Sequence, residues 1–159
     1  MFNKSSNSIV VLAPIDGNIK NIKEVSDPVF NSGIIGKGIA IIPSSNAIYP
    51  VFDGELIVSF HSGHAYGIQH KNGPQVLIHI GVDTVELNGK GFKKADIPQG
   101  SKIKTTQKLV DIDFKVLEEN GKSTDIIIVV TNETIGDYKI TKCSTGQIKT
   151  GEPLFYLQK

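Results

Sequence analysis

Short apolar runs, each closed by turn residues, set the rhythm of this chain. Residues 9–13 (Ile-Val-Val-Leu-Ala) end at Pro14 and meet the turn pair Asp16-Gly17. Residues 38–42 stop at Pro43, and residues 55–60 follow Asp53-Gly54. Residues 65–69 and 75–79 flank His70-Lys71-Asn72-Gly73, whose Asn-Gly pair predicts a tight hairpin. Further strand-like runs cover 109–113, 126–130 and 154–157. Turn signals recur at the spacing of a sandwich or barrel, roughly every eight to twelve residues. Two helical segments interrupt the pattern. Asp113 is placed to cap a helix over 114–120 that stops at Gly121. A shorter helical turn begins at Pro28, with Ser26 or Asp27 as its cap. Residues 12–19 and 48–56 echo one another as strand, proline, Asp-Gly, strand. Both shared turn chemistry and a duplicated sheet unit account for that.

At 159 residues the chain fits one domain with a sizeable core, expected over 9–159 behind a flexible tail at 1–8. The formal net charge of +1 gives no electrostatic case for nucleic-acid binding. All 17 basic residues are lysine, so the chain has no guanidinium for bidentate clamping of phosphate. The single cysteine, Cys143, excludes an internal disulfide and a zinc–thiolate cluster. It reads as a plain thiol at a strand end. No signal-peptide core opens the chain and no apolar run approaches a membrane span, so a cytoplasmic location is expected.

Two histidines break the apolar pattern. His79 lies inside Leu77-Ile78-His79-Ile80-Gly81-Val82, and His64 precedes the run Ala65-Tyr66-Gly67-Ile68. An imidazole in such a strand is either tied up by hydrogen bonds or present for its chemistry. On neighbouring strands the pair would suit a phosphoryl group or a metal ion. His70 falls in the hairpin turn and is expected to be solvated, as is Lys37; His61 sits at a strand end beside the pair.

A longer pattern surrounds these residues. It comprises Ala13-Pro14-Ile15-Asp16-Gly17, Asp27-Pro28-Val29-Phe30, residues 36–43, Pro50-Val51-Phe52-Asp53-Gly54, His64-Ala65-Tyr66-Gly67-Ile68 and the unbroken stretch from His79 to Phe92. From about residue 9 to residue 157 the chain resembles the glucose-family IIA component of the bacterial phosphoenolpyruvate-dependent sugar phosphotransferase system. The resemblance implies an all-β fold, an antiparallel β-sandwich with one or two short helical segments. It also implies a phosphotransferase relay: a phosphoryl group arrives from the phosphocarrier protein HPr and leaves to a cysteine of the IIB domain of a glucose-type transporter. Contact with the membrane would run through that transporter, and regulatory partners are left open.

By position, His79 matches the family's phosphorylated histidine and His64 its supporting histidine. Ser62 stands where the family has threonine, keeping a hydroxyl able to bond the His79 ring or its phosphate. Asp27 and Asp83 match acids that face an arginine of donor and acceptor, which suits a chain lacking arginine. Val29, Phe30, Ile34, Ile35 and Phe60 match an apolar docking rim. Phe30, in a stretch rich in turn residues, is expected to be exposed, whereas Phe60 is balanced between rim and core. Thr84 is placed to hydrogen-bond near the site. No resident cofactor is expected, and zinc at His64 and His79 would need help from a partner. The competing class is a zinc-dependent peptidase on a related sandwich. Against it, catalytic zinc takes three protein ligands, and the residue two beyond His79 is Gly81 where a second histidine would be required.

Overall fold

Alternation along the central strands decides which side chains face which layer. The computed structural model describes residues 7–159. Strand β1 (Ser8–Leu12) buries Ile9 and Val11 while Val10 and Leu12 stay half-exposed, the period-two pattern of a sheet face. Strand β2 (Gly17–Lys20) leads through a 3₁₀ turn at Ile22–Glu24 to helix α1 (Pro28–Asn31). Strand β3 (Gly36–Pro43) follows, then β4 (Ala47–Ile48), β5 (Gly54–Ser59), β6 (Ala65–Gln69) and β7 (Gln75–Ile80). A second 3₁₀ turn spans Thr84–Leu87 before β8 (Phe92–Lys94), β9 (Lys102–Ile103) and β10 (Val110–Ile112). Helix α2 (Phe114–Glu119), β11 (Ile126–Thr131), β12 (Lys139–Thr141), β13 (Gln147–Ile148) and β14 (Pro153–Gln158) complete the order. The fold is therefore an antiparallel β-sandwich with two short helices, as the turn spacing and the resemblance led one to expect.

Among the described residues the strands form an eight-stranded sheet, ordered β13-β2-β3-β11-β7-β6-β5-β9, and two three-stranded sheets, β1-β14-β12 and β4-β10-β8. One apolar cluster joins all three. Ile39, Ile41, Ile78, Ile80, Ile126 and Ile128 of the large sheet meet Ile9, Val11, Phe155 and Leu157 from one small sheet and Ile48, Val110 and Ile112 from the other. The opposite face of the large sheet is covered locally. Val25 and Phe30 from the segment around α1 close over Ala40, Ile127 and Val129. This second layer carries the site, because the odd-numbered residues of β7, His79 among them, point into it.

The expected strands appear at or within two residues of their expected ends, and β6 spans the predicted 65–69. Both helices start where their caps predicted: the Asp27 carboxylate accepts from Val29 N–H at 2.9 Å, and that of Asp113 from Lys115 N–H at 3.2 Å. The tail expected over 1–8 falls largely outside the described residues. Ser8 itself lies in β1, opposite Gln158. Among the described residues no helix is long and apolar enough to cross a membrane. The short strands β8, β9 and β13 were not foreseen, since two- or three-residue bridges leave no period to detect, while β4 and β12 lie at the strand read before Pro50 and the strand end read near Cys143.

Ile128 is fully buried at the centre of the large sheet, opposite Ile39 on one side and Ile78 on the other. Ile128→Ala is expected to lower stability by about 3–4 kcal/mol, read as a reduced urea midpoint at unchanged slope.

Candidate functional site

The site begins with register. Strand β7 pairs with β6 so that His79 lies opposite Ala65, and with β11 so that it lies opposite Ile127. With Ile78 and Ile80 fixed in the main core, His79 must face the outer layer; a one-residue slip would turn the imidazole into the main core. Just before β6, the His64 carbonyl accepts from Ile80 N–H at 2.8 Å, which ties the two histidine backbones together. The rings meet edge to face, 5.3 Å apart at 78°. The sequence pairing of His64 with His79 is thus a spatial one.

Each ring has one nitrogen committed. His79 Nδ1 donates to the Gly81 carbonyl at 2.8 Å, which leaves Nε2 unprotonated in the neutral ring. Gly81 adopts a φ of 71°, and a Cβ there would stand 2.5 Å from the Ser123 carbonyl, so glycine is required where the chain turns its oxygen back to the ring. Ser62 Oγ lies 2.5 Å from His64 Nδ1. The serine hydroxyl thus reaches His64, whereas the sequence had offered it the His79 ring or its phosphate. When that hydroxyl donates, Nε2 of His64 carries the proton. The two rings then present opposite functions, a lone pair on His79 and an N–H on His64.

Burial keeps both rings neutral. It drives His64 down to about 4, helped by the charge that His79 would carry. His79 is also lowered by burial, opposed by its bond to Gly81 and by the carboxylates of Asp27 and Asp83. These two acids, far apart in sequence, therefore converge on the same imidazole. Asp27 serves also as the cap of α1, and Asp83 holds a left-handed φ of 58° just before the second 3₁₀ turn.

Aromatic side chains wall this polar centre. Phe30 stacks at a tilt on His79 and Phe60 on His64, both with centroids 5.0 Å apart. Phe30 is 4% exposed, which corrects the expectation of an exposed ring: α1 folds it inward onto Ala40 and Ile127, where it also walls the imidazole. Val29, Ile34 and Phe60 are exposed, with Ile34 the most open at 73%, while Ile35 is half-buried in the outer layer. The even balance over Phe60 is thereby settled for the surface. Val85, exposed on the second 3₁₀ turn, was missed by sequence reasoning. It shares a hollow of about 530 Å³ with Phe60, His61, Ser62 and Phe92. Its signal was an apolar residue in a run that reads as strand but coils after Gly81.

The remaining expectations divide. Thr84 is buried and its hydroxyl donates to the Ile80 carbonyl at 2.5 Å, bracing the turn. Lys37 and Cys143 are exposed. His70 is not freely solvated. It is half-buried, stands edge-on to Phe52 at 5.0 Å and accepts from Asn72 N–H at 3.1 Å, because the hairpin folds back over the sandwich.

A β-sandwich holding two neutral imidazoles beside exposed apolar side chains has the makings of a phosphoryl carrier. The comparisons agree. Residues 9–135 match the family described as phosphoenolpyruvate-dependent sugar phosphotransferase system, EIIA 1. The glucose-specific EIIA component of Bacillus cereus is 42% identical over 127 residues, covering 80% of this chain and 76% of that protein. The Mycoplasma capricolum counterpart is 38% identical over 157 residues, 99% of this chain and 98% of that protein. The solved glucose permease IIA of Mycoplasma capricolum superposes with a TM-score of 0.87 at 37% identity, covering 98% of this chain and 97% of that one. The chain belongs to the EIIA 1 family of the phosphoenolpyruvate-dependent sugar phosphotransferase system, and it is a phosphocarrier component of that system. The peptidase alternative finds no support in these matches. Among the described residues, moreover, no three His, Cys, Asp or Glu side chains cluster as a metal site would require.

Neutral histidines in the folded state have a pH signature. The unfolded chain takes up protons near 6.5 that the folded rings refuse, so stability falls as pH drops from about 6.5 toward 4 and the contribution is complete above that window. Imidazole NMR titration is expected to place the His64 midpoint near 4 and that of His79 below 6.5; ordinary midpoints for both would contradict the burial described here.

Proposed function

We propose that His79 is the phosphoryl acceptor, that HPr is its donor, and that the cysteine of the IIB domain of a glucose-type transporter is its acceptor in turn. The observation that carries this reading is the bond from His79 Nδ1 to the Gly81 carbonyl, which fixes the tautomer with a free lone pair on Nε2. That lone pair attacks phosphorus in line as the bond from phosphorus to the donor's histidine nitrogen breaks. Two neutral rings impose no repulsion on each other and leave the nucleophile unprotonated at neutral pH. His64, held by Ser62, offers its Nε2–H to a phosphoryl oxygen and stabilises the charge gathering there. In the second step a thiolate of IIB attacks the same phosphorus and His79 leaves as neutral imidazole.

Docking completes the site. Val29, Ile34, Phe60 and Val85 supply exposed apolar contact around a small polar centre, as transient interfaces do. Asp27 and Asp83 repel a phosphoryl group until a partner's arginine neutralises them, which couples transfer to docking. The specificity for glucose follows the names of the relatives, and sugar choice would lie with the transporter. Residues 9–159 act as a single cytoplasmic domain in this reading. No resident cofactor is needed. Two imidazoles fall short of the three or four protein ligands that zinc takes, so zinc at His64 and His79 would require a docked partner's ligands.

Phosphoryl transfer from phosphoenolpyruvate through enzyme I and HPr tests the assignment. Wild type is expected to take up an acid-labile label, His79→Ala none, and His64→Ala to take up label but discharge it to IIB at least about a hundredfold more slowly. Label on His79→Ala would refute the assignment. Asp27→Asn and Asp83→Asn, which keep the cap and the left-handed turn, are each expected to slow transfer from HPr several-fold, about 3- to 10-fold, with a shallower dependence on salt. Unchanged rates in both would remove the coupling of transfer to docking.

A further inference from the structure

One transverse row of the large sheet joins His79 to a distant ion pair. Lys20 lies opposite Ala40, Ala40 opposite Ile127, and Ile127 opposite His79. At the end of β2, Lys20 Nζ reaches the Asp125 carboxylate at 2.7 Å. Asp125 is the residue immediately before β11, and its side chain is 10% exposed against 22% for Lys20, so the pair is weakly screened. The backbone carbonyl of Asp125 accepts from Gly81 N–H at 2.7 Å, which extends the β7–β11 ladder one step beyond Ile126 and Ile80. The carbonyl of Gly81 is the group that accepts from His79 Nδ1. Ser123 Oγ accepts from Asp125 N–H at 3.2 Å, and Lys122 pairs with Glu86 on the far side of the same turn. Gly81 is thus seated against residues 122–125, and the charge holding that seat is Lys20.

We infer that Lys20 and Asp125 are positioning residues for the reaction: their ion pair fixes the Gly81 peptide and through it the His79 tautomer. This rests on His79 being the phosphoryl acceptor. Strand ends open more readily than strand centres, and here the end of the ladder carries the functional carbonyl. Without Lys20 the Asp125 carboxylate is a buried charge lacking its cation, which is relieved by turning toward water and carrying its own backbone along. The Gly81 oxygen then leaves its place in front of Nδ1, and the ring divides between tautomers, only one of which presents a lone pair at Nε2.

The test is ¹⁵N imidazole NMR on the full unphosphorylated chain, alongside transfer rates at saturating phospho-HPr, for wild type, Lys20→Arg, Lys20→Met and Asp125→Asn. Wild type and Lys20→Arg are expected to show a pyrrole-type Nδ1 and a pyridine-type Nε2 at His79. Lys20→Met and Asp125→Asn are expected to show averaged shifts and a saturated rate lowered about tenfold, with half-saturation by phospho-HPr unchanged because neither residue lies on the collar. Wild-type shifts in both variants, or general loss of fold in both, would overturn the positioning role and leave a structural one. If wild type accepts no label, the acceptor assignment fails by itself, and the nitrogen shifts still report whether the ion pair sets the tautomer.

Discussion

Everything at the site depends on the pairing of β7 between β6 and β11. Ile78 and Ile80 are locked into the main core by their partners Tyr66, Ile126 and Ile128, and that lock leaves His79 no face but the outer one. Burial of branched side chains on one side of a strand thereby determines the orientation of a polar side chain on the other. The ring is then covered by Phe30 and bound to Gly81, so its environment is partly apolar and its hydrogen bonding is specified. The same ladder brings His64 to the edge of His79 through the bond from Ile80 to the His64 carbonyl.

Charge is distributed with equal consequence. With no arginine in the chain and both imidazoles neutral, the centre of the site carries little charge of its own, while Asp27 and Asp83 stand near it. A carrier must receive and release the same group, so strong capture by fixed cations would hinder the second half of its task. In the proposed relay, a neutral cradle with acids near it would hold the phosphoryl group loosely and let each partner bring the missing positive charge.

Much of this was legible in the residues. Turn pairs such as Asn72-Gly73 and caps such as Asp113 state their conformation locally, and the alternation in residues 75–80 marked a strand with one odd polar member. The motif from His79 to Phe92 marked the class of protein. What could not be read depended on contacts between distant segments. Phe30 looked exposed because its own neighbours are turn residues, yet its burial is decided by Ala40 and Ile127 across the outer layer. Ser62 bonds His64 in place of His79 because the turn through Gly63, with φ of 82°, folds the hydroxyl back on its own strand. The Lys20–Asp125 pair spans 105 positions and has no local signature at all.

The two borders of the large sheet, β9 and β13, are each two residues long. A border that brief gives a passing polypeptide almost no unpaired backbone to add to, which narrows, at this sheet, the usual route from a β-rich protein to a fibre. This matters for a molecule that leaves greasy residues such as Ile34 in water. Its stickiness lies in side chains, where contacts are brief and reversible, and is kept away from the borders of the largest sheet, where they would be permanent.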